Sequence, residues 1–183
     1  MRTLKMQMQI TIDGFVAGPE GQLDWMSFDN DPKNLEFINH LTDTSDTIIM
    51  GRKMAPEFIK YWEGVPKESP EYDFAQKMIN IPKVIFSKTL KTITGRNARI
   101  ENGDLKTEIN KLKSGSGKDI VVYGGANFMS NLIKENLIDD YYLFVNPVAI
   151  GKGLRIFPDK MKLKLVDSVK YSGEVMNHYK PMR

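Results

Sequence analysis

Three short stretches carry residue types that bind anions, and each closes an apolar run. Residues 46–58, DTIIMGRKMAPEF, stop the run Ile48-Ile49-Met50 at Gly51 and at once present Arg52 and Lys53. Residues 119–129, DIVVYGGANFM, end a run of β-formers in Gly124-Gly125, with Ala126 and Asn127 next. Residues 83–88, KVIFSK, close on the hydroxyl of Ser87 and the cation of Lys88. Glycine has no Cβ, so a ligand can come close to the backbone there. A helix starting just beyond offers unpaired N–H groups and a partial positive charge, which is how a backbone commonly binds phosphate. Arg52 can grip a phosphate monoester with two parallel hydrogen bonds. Singly, each has a plainer reading: Gly-Gly after a strand also makes a tight turn, and an Arg-Lys pair also makes a solvated surface. Together they point to a ligand with several phosphates, such as a dinucleotide carrying an extra one.

The elements that must position these residues can be read from periodicity. Leu4 to Ile12 alternates apolar and polar with period two, the mark of a strand, and Asp13-Gly14 breaks it. A loop follows to about residue 29. Asp31-Pro32 is a helix start, an N-cap acid followed by Pro in the first turn, and Leu35, Ile38 and Leu41 share a face. Residues 46–50 read as a strand. Met54, Phe58 and Trp62 then recur at helical spacing, with Pro56 tolerated in the first turn. Phe74 and Met78 suggest another short helix. Residues 83–87 read as a strand, Leu105, Ile109 and Leu112 as a helix, and 120–123 as a strand with a helix after it. Residues 141–150 form one long β-rich run, and two final strands flank Ser172-Gly173. Strands alternating with helices imply a largely parallel sheet covered on both faces. The last strands have no helix between them and should add an antiparallel edge. We expect one α/β domain over 1–183.

Composition excludes several classes. A net charge of +3 is too small to argue for nucleic acid. With no cysteine, thiolate catalysis and Cys-based zinc sites are out, and the two histidines, His40 and His178, have no metal-ligand spacing. No metal is expected. The N-terminus alternates and forms no apolar block, so it does not read as a signal peptide, and no run approaches the length of a membrane helix. The expectation is a soluble, cytoplasmic protein. There is no G-x-G-x-x-G. The stretch GSGKD at 115–119 has Asp119 where a P-loop needs Ser or Thr, and it precedes a strand instead of following one, so it reads as a turn.

Five motifs in order, ITIDGFVAGPEGQLDWM, IIMGRKM, VIFS, VVYGGANF and DDYYLFVNPVAIGKGLRIF, span nearly the whole chain. With them the sequence resembles the dihydrofolate-reductase-like superfamily. It is most similar to the group that includes the reductase domain of bifunctional riboflavin-biosynthesis proteins and its stand-alone relatives. The resemblance implies a three-layer α/β sandwich around a mainly parallel, eight-stranded mixed sheet, with NADPH as hydride donor. By resemblance Arg52 and Lys53, following Gly51, would hold the adenosine 2′-phosphate, and Ser87 and Lys88 would lie beside the adenosine. Gly124, Gly125, Ala126 and Asn127 would wrap the pyrophosphate, and Val16 and Ala17 would line the nicotinamide. The resemblance also suggests a homodimer through the extra edge strands, with YYLFV apolar enough to take part or to be a buried central strand. Two departures stand out: Met54 occupies the place of a hydroxyl-bearing Thr, and the acidic residue that serves folate reductases in the first helix has no clear counterpart.

Hydride transfer needs a proton as well, from a carboxyl group or a water held by one. Asp24, in the group's Asp-Trp pattern, is the catalytic candidate. Asp13 stands behind it as a substrate contact, although Asp-Gly after a strand is also common turn chemistry. Trp25 could stack on a flat heterocycle or plug the core. The expected activity is reduction of a small pterin- or pyrimidine-like heterocycle. The alternative is a dinucleotide-binding module of the same fold without catalysis.

Overall fold

The computed structural model describes residues 1–27 and 30–182. It contains β1 (Leu4–Thr11), α1 (Pro32–Asp43), β2 (Ser45–Gly51), α2 (Ala55–Glu63), α3 (Tyr72–Asn80), β3 (Lys83–Phe86), β4 (Ala98–Glu101), α4 (Leu105–Ser114), β5 (Asp119–Val122), α5 (Ala126–Lys134), β6 (Asp140–Asn146), β7 (Leu163–Lys170) and β8 (Val175–Pro181). One eight-stranded sheet runs β4-β3-β2-β5-β1-β6-β8-β7. The strands from β4 to β6 pair in parallel; β8 pairs antiparallel with both β6 and β7. This is the dihydrofolate-reductase-like α/β sandwich. Among the described residues no helix is long and apolar enough to cross a membrane.

Several boundaries differ from the sequence expectation, for local reasons. The first strand stops at Thr11, whose hydroxyl takes the Phe15 N–H and begins a turn. The long β-rich run ends at Asn146, because Pro147 offers no N–H to continue a ladder. β4 was not expected: at four residues, with no buried position, it carries no periodic signal. The YYLFV segment proves to be the buried strand, β6, with Tyr141 and Phe144 fully buried between β1 and β8.

The two faces of the sheet are filled unequally. Leu4, Met6, Met8 and Ile10 of β1 join Ile120, Val122 and Ile49 under Ile109 of α4 and Met129 and Leu132 of α5. On the other face two separate clusters form. Ile48, Met50, Ile85 and Val121 pack under α2 and α3, while Phe144 and Met176 pack under Phe37 and Ile38 of α1. Between them lies the second row of β1: Lys5, Gln7, Gln9 and Thr11, on the face of Val121, Tyr142, Phe144 and Asn146.

The start of α1 is fixed twice. The Asp31 carboxylate accepts the Lys33 N–H at 2.9 Å as the N-cap of the helix. It also accepts the N–H and O–H of Ser172, at the turn between β7 and β8. At the other end of the sheet, buried Lys83 closes the C-terminus of α3. Its ammonium donates to the carbonyls of Met78, Ile79 and Ile81 at 2.8, 2.9 and 2.8 Å, satisfying acceptors a helix end leaves free. Burial pulls its pKa from 10.5 down to about 8. Lys83→Met should therefore cost about 2–3 kcal/mol in urea unfolding, because charge-assisted bonds go and buried carbonyls are left unpaired. Between about pH 8 and 10.5 the unfolded chain holds the proton that folded Lys83 has released. The wild type should thus gain on the variant as pH rises through that window, and a gap that shrinks there would contradict the burial argument.

Candidate active site

Two loops meet where β2 and β5 end side by side. The Gly51 N–H donates to Gly124 O at 3.0 Å, so Arg52 and Lys53 emerge next to the Gly-Gly pair. Gly51 itself is demanded by packing: a Cβ there would lie 2.7 Å from Phe128 Cβ on α5. It lets a helix, not a ligand, come close. Gly124 has φ +134°, a conformation that favours glycine, and its Cβ would crowd Met54 Sδ at 3.0 Å. The Gly124–Gly125 peptide is cis. Gly125 differs from both, because a Cβ there would meet nothing within 4 Å. It is the N-cap of α5, and no side chain caps that helix. Space thus opens in front of the positive end of a nine-residue helix. Arg52 and Lys53 are exposed and belong to no ion pair among the described residues.

Ser87 and Lys88 lie beside this pair, since Gly51 pairs with Phe86. Both, however, serve local structure. Ser87 Oγ accepts the N–H groups of Thr89 and Leu90 at 3.1 and 2.9 Å. Lys88 donates to the carbonyls of Asn102 and Gly103 at 2.6 and 2.8 Å and closes the turn before α4. Of three ammonium protons, one remains for anything else.

The loop after β1 is stitched to the 147–155 segment. Val16 N–H donates to Leu154 O at 2.9 Å, and Leu154 N–H returns to Ala17 O at 2.8 Å. A Cβ on Gly153 would stand 2.2 Å from Ala17 O, so only glycine fits that approach. Val16 and Ala17 are thereby buried and held. Asp13 fastens the same two segments. It accepts the Thr11 hydroxyl at 2.6 Å and the N–H groups of Ile150 and Gly151 at 3.1 and 2.8 Å. These bonds, the Thr11 hydroxyl foremost, hold its carboxyl below the ordinary 3.8. Both oxygens of Asp13 are engaged in this tether. Asp24 is exposed and makes no hydrogen bond among the described residues. Trp25 is half-buried, and its Nε1 is buried without a partner.

Sequence reasoning missed a group of polar side chains on the face under α1. Asn146, at the end of β6, accepts from the N–H and O–H of Ser27 and donates to Gln9 Oε1 and, at 3.4 Å, to Glu174 Oε2. Glu174 Oε1 accepts the Asn34 amide of α1 at 2.8 Å. Gln7 Oε1 is buried with no hydrogen-bond partner among the described residues, and the buried Tyr123 hydroxyl faces Thr42 of α1. Burial pushes the Tyr123 phenol up to about 12, so it keeps its proton. A signal for part of this group was present: glutamine at alternate positions of a strand that turns out to be central.

A protein-family model described as the RibD C-terminal domain matches residues 2–176. YyaP of Bacillus subtilis (strain 168), described as uncharacterized, is 33% identical over 96% of this chain and 92% of its own length. The diaminohydroxyphosphoribosylaminopyrimidine deaminase/5-amino-6-(5-phosphoribosylamino)uracil reductase of Thermotoga maritima is 15% identical. It superposes with a TM-score of 0.68 over 99% of this chain and 57% of its own. Dihydrofolate reductase from Enterococcus faecalis, solved with NADP(H), is 16% identical with a TM-score of 0.63 over 99% of this chain and 97% of its own. At these identities the solved structures establish the fold.

The tether reading of Asp13 has a direct check. Asp13→Ala removes the acceptor for the Ile150 and Gly151 amides, so their hydrogen exchange should quicken about tenfold or more while amides of β1 and β6 stay protected. Unchanged exchange at both positions would show that the two segments hold together without it.

Proposed function

From the premise that the chain belongs to the RibD C-terminal domain family, we propose that it is an NADPH-dependent reductase of a small pterin- or pyrimidine-like heterocycle, acting in the cytoplasm. One observation carries this reading: the start of α5 at Gly125, with no side-chain cap, lies against the loop that presents Arg52 and Lys53, which are unpaired among the described residues. Anion-binding backbone and free cations together fit a pyrophosphate with one further phosphate nearby.

In this reading Gly124 to Asn127 bind the pyrophosphate through backbone N–H groups, and Arg52 with Lys53 reads the 2′-phosphate. Ser87 and Lys88 support the adenosine side mainly by shaping the neighbouring turns. Val16 and Ala17, fixed by Leu154, form the platform for the nicotinamide. NADPH, when bound, supplies the hydride. The chain's part is to orient the ring against that platform and to deliver a proton. Asp24 is our candidate for the proton, since it is exposed on the loop before α1 and makes no hydrogen bond among the described residues. A homodimer completes the proposal. β7 is an edge strand with Leu165 and Val166 about half exposed, which suits pairing with a second copy.

Fluorescence titration tests the cofactor site. Arg52→Ala should weaken NADPH binding by about 1.5–3 kcal/mol and leave NADH nearly unchanged. Equal losses for both would remove the 2′-phosphate role. Gly125→Val should block both cofactors in a protein with unaltered circular dichroism, because its side chain fills space and displaces no neighbour. For the dimer, sedimentation should give about twice the chain mass, and Val166→Glu should reduce it to that of one chain; an unaltered mass would place the interface elsewhere.

A further inference from the structure

The eleven methionines of the chain are not alike. Met6, Met8, Met50, Met78, Met129 and Met176 are buried. Met161 packs on the core, and its sulfur accepts the Tyr141 hydroxyl at 3.7 Å. Met1 and Met182 are largely exposed. Met54 fits none of these groups. It is partly exposed, yet it belongs to none of the three apolar clusters of the described residues.

What it packs on instead is the other loop. The Met54 N–H donates to Gly51 O at 3.2 Å, so the residue closes the turn that presents Arg52 and Lys53. It is also the N-cap of α2, and its side chain caps nothing. The thioether crosses to the Gly-Gly pair: Sδ lies 3.0 Å from the point where a Cβ on Gly124 would stand. Met8 Cε approaches the same point to 3.7 Å from β1, but Met8 is buried and Met54 is not. The next residue, Gly125, faces open space before the start of α5. A polarizable sulfur thus spans the seam between the two anion-binding loops, beside backbone N–H groups that no side chain caps.

We infer that Met54 is an oxidation site and that its sulfoxide closes the anion site. The oxidant is hydrogen peroxide. A sulfur lone pair attacks one peroxide oxygen, the O–O bond breaks, that oxygen stays on sulfur as S=O, and water leaves. Sulfur gives up two electrons and the peroxide takes them. The flexible apolar side chain becomes a polar one. Its new oxygen is a hydrogen-bond acceptor with partial negative charge, set among the N–H groups and cations that a phosphate needs. Sulfoxide and phosphate compete for the same donors. A thiol-dependent methionine sulfoxide reductase restores the thioether, so the block is reversible. This rests on reading these loops as the cofactor site.

The test treats the protein with graded hydrogen peroxide and locates sulfoxide by peptide mass spectrometry. Met54 should oxidise at a rate comparable with exposed Met182 and well ahead of buried Met50 and Met129. NADPH should protect Met54 and leave Met182 unchanged. Fluorescence titration should show NADPH bound about tenfold more weakly after treatment, as expected when charge-assisted contacts are lost. Methionine sulfoxide reductase with dithiothreitol should restore the affinity. In Met54→Leu, which keeps the volume without the sulfur, treated and untreated protein should agree within about twofold. Oxidation of Met54 no faster than that of the buried methionines, an affinity unmoved by its oxidation, or an equal loss in Met54→Leu would each overturn the inference. If the untreated protein binds no NADPH, the reductase reading falls and the comparison is repeated with inorganic pyrophosphate. Pyrophosphate binding that is lost on oxidation of Met54 would support the inference without that reading; no pyrophosphate binding would overturn both.

Discussion

Everything at this site hangs on the placing of β1 between β5 and β6. The strand pairs in parallel with both, through Met6–Val122 on one side and Thr11–Asn146 on the other. That ladder fixes where the chain leaves the sheet after Thr11, and hence where Val16 and Ala17 lie. It also decides which side of β1 is dry. Met6 and Met8 are carried into the core under α5, and Gln7 and Gln9 are turned to the opposite face. A one-residue slip would exchange the two rows and put glutamines under α4 and α5.

The second layer of dependence is close approach without side chains. Gly51 lets α5 come down on β2 through Phe128, and Gly153 lets the 147–155 segment reach Ala17. In each case a Cβ would collide with atoms near the backbone, which cannot swing aside. The glycines therefore set distances between elements, and those distances place the α5 N-terminus beside Arg52 and the platform beside β1. Gly125 has the opposite character, an open space where a Cβ would meet no protein atom. Both glycines lie in strand-to-helix connections, but Gly51 is the last residue of β2 and Gly125 is the N-cap of α5, and only their surroundings show which of them leaves room.

That difference marks the limit of what the sequence could disclose. The alternation of Leu4 to Thr11, the Asp31-Pro32 cap and the glycine-ended strands gave the architecture, and they brought Gly51 to Lys53 and Gly124 to Asn127 to one end of the sheet. β4 was invisible because Ala98–Glu101 is short and only partly buried. Asp13 was legible as a turn residue but not as a tether, since its partners Ile150 and Gly151 lie over 130 positions away. Lys88 reads as a free cation until Asn102 and Gly103 are seen to occupy it. The Asn34–Glu174–Asn146 cluster joins three elements distant in sequence, and no local pattern announces it.

The alternation in β1 had two meanings, and only topology separates them. In an edge or antiparallel strand, apolar-in and polar-out is ordinary solvation. In a central parallel strand the same pattern leaves a polar row that must face another helix, a solvent channel or a ligand. Here the row faces helices: Lys5 is bonded to Thr44 at the end of α1, and the Tyr123 ring packs on Phe58 of α2 while its buried hydroxyl faces Thr42 of α1. The upper end of the row is Thr11, buried and bonded to Asp13 and Phe15, and the α5 N-terminus stands just beyond the neighbouring strand. The same ladder fixes both the turn after Thr11 and the strand end from which α5 begins, so the spacing between them is a property of the sheet.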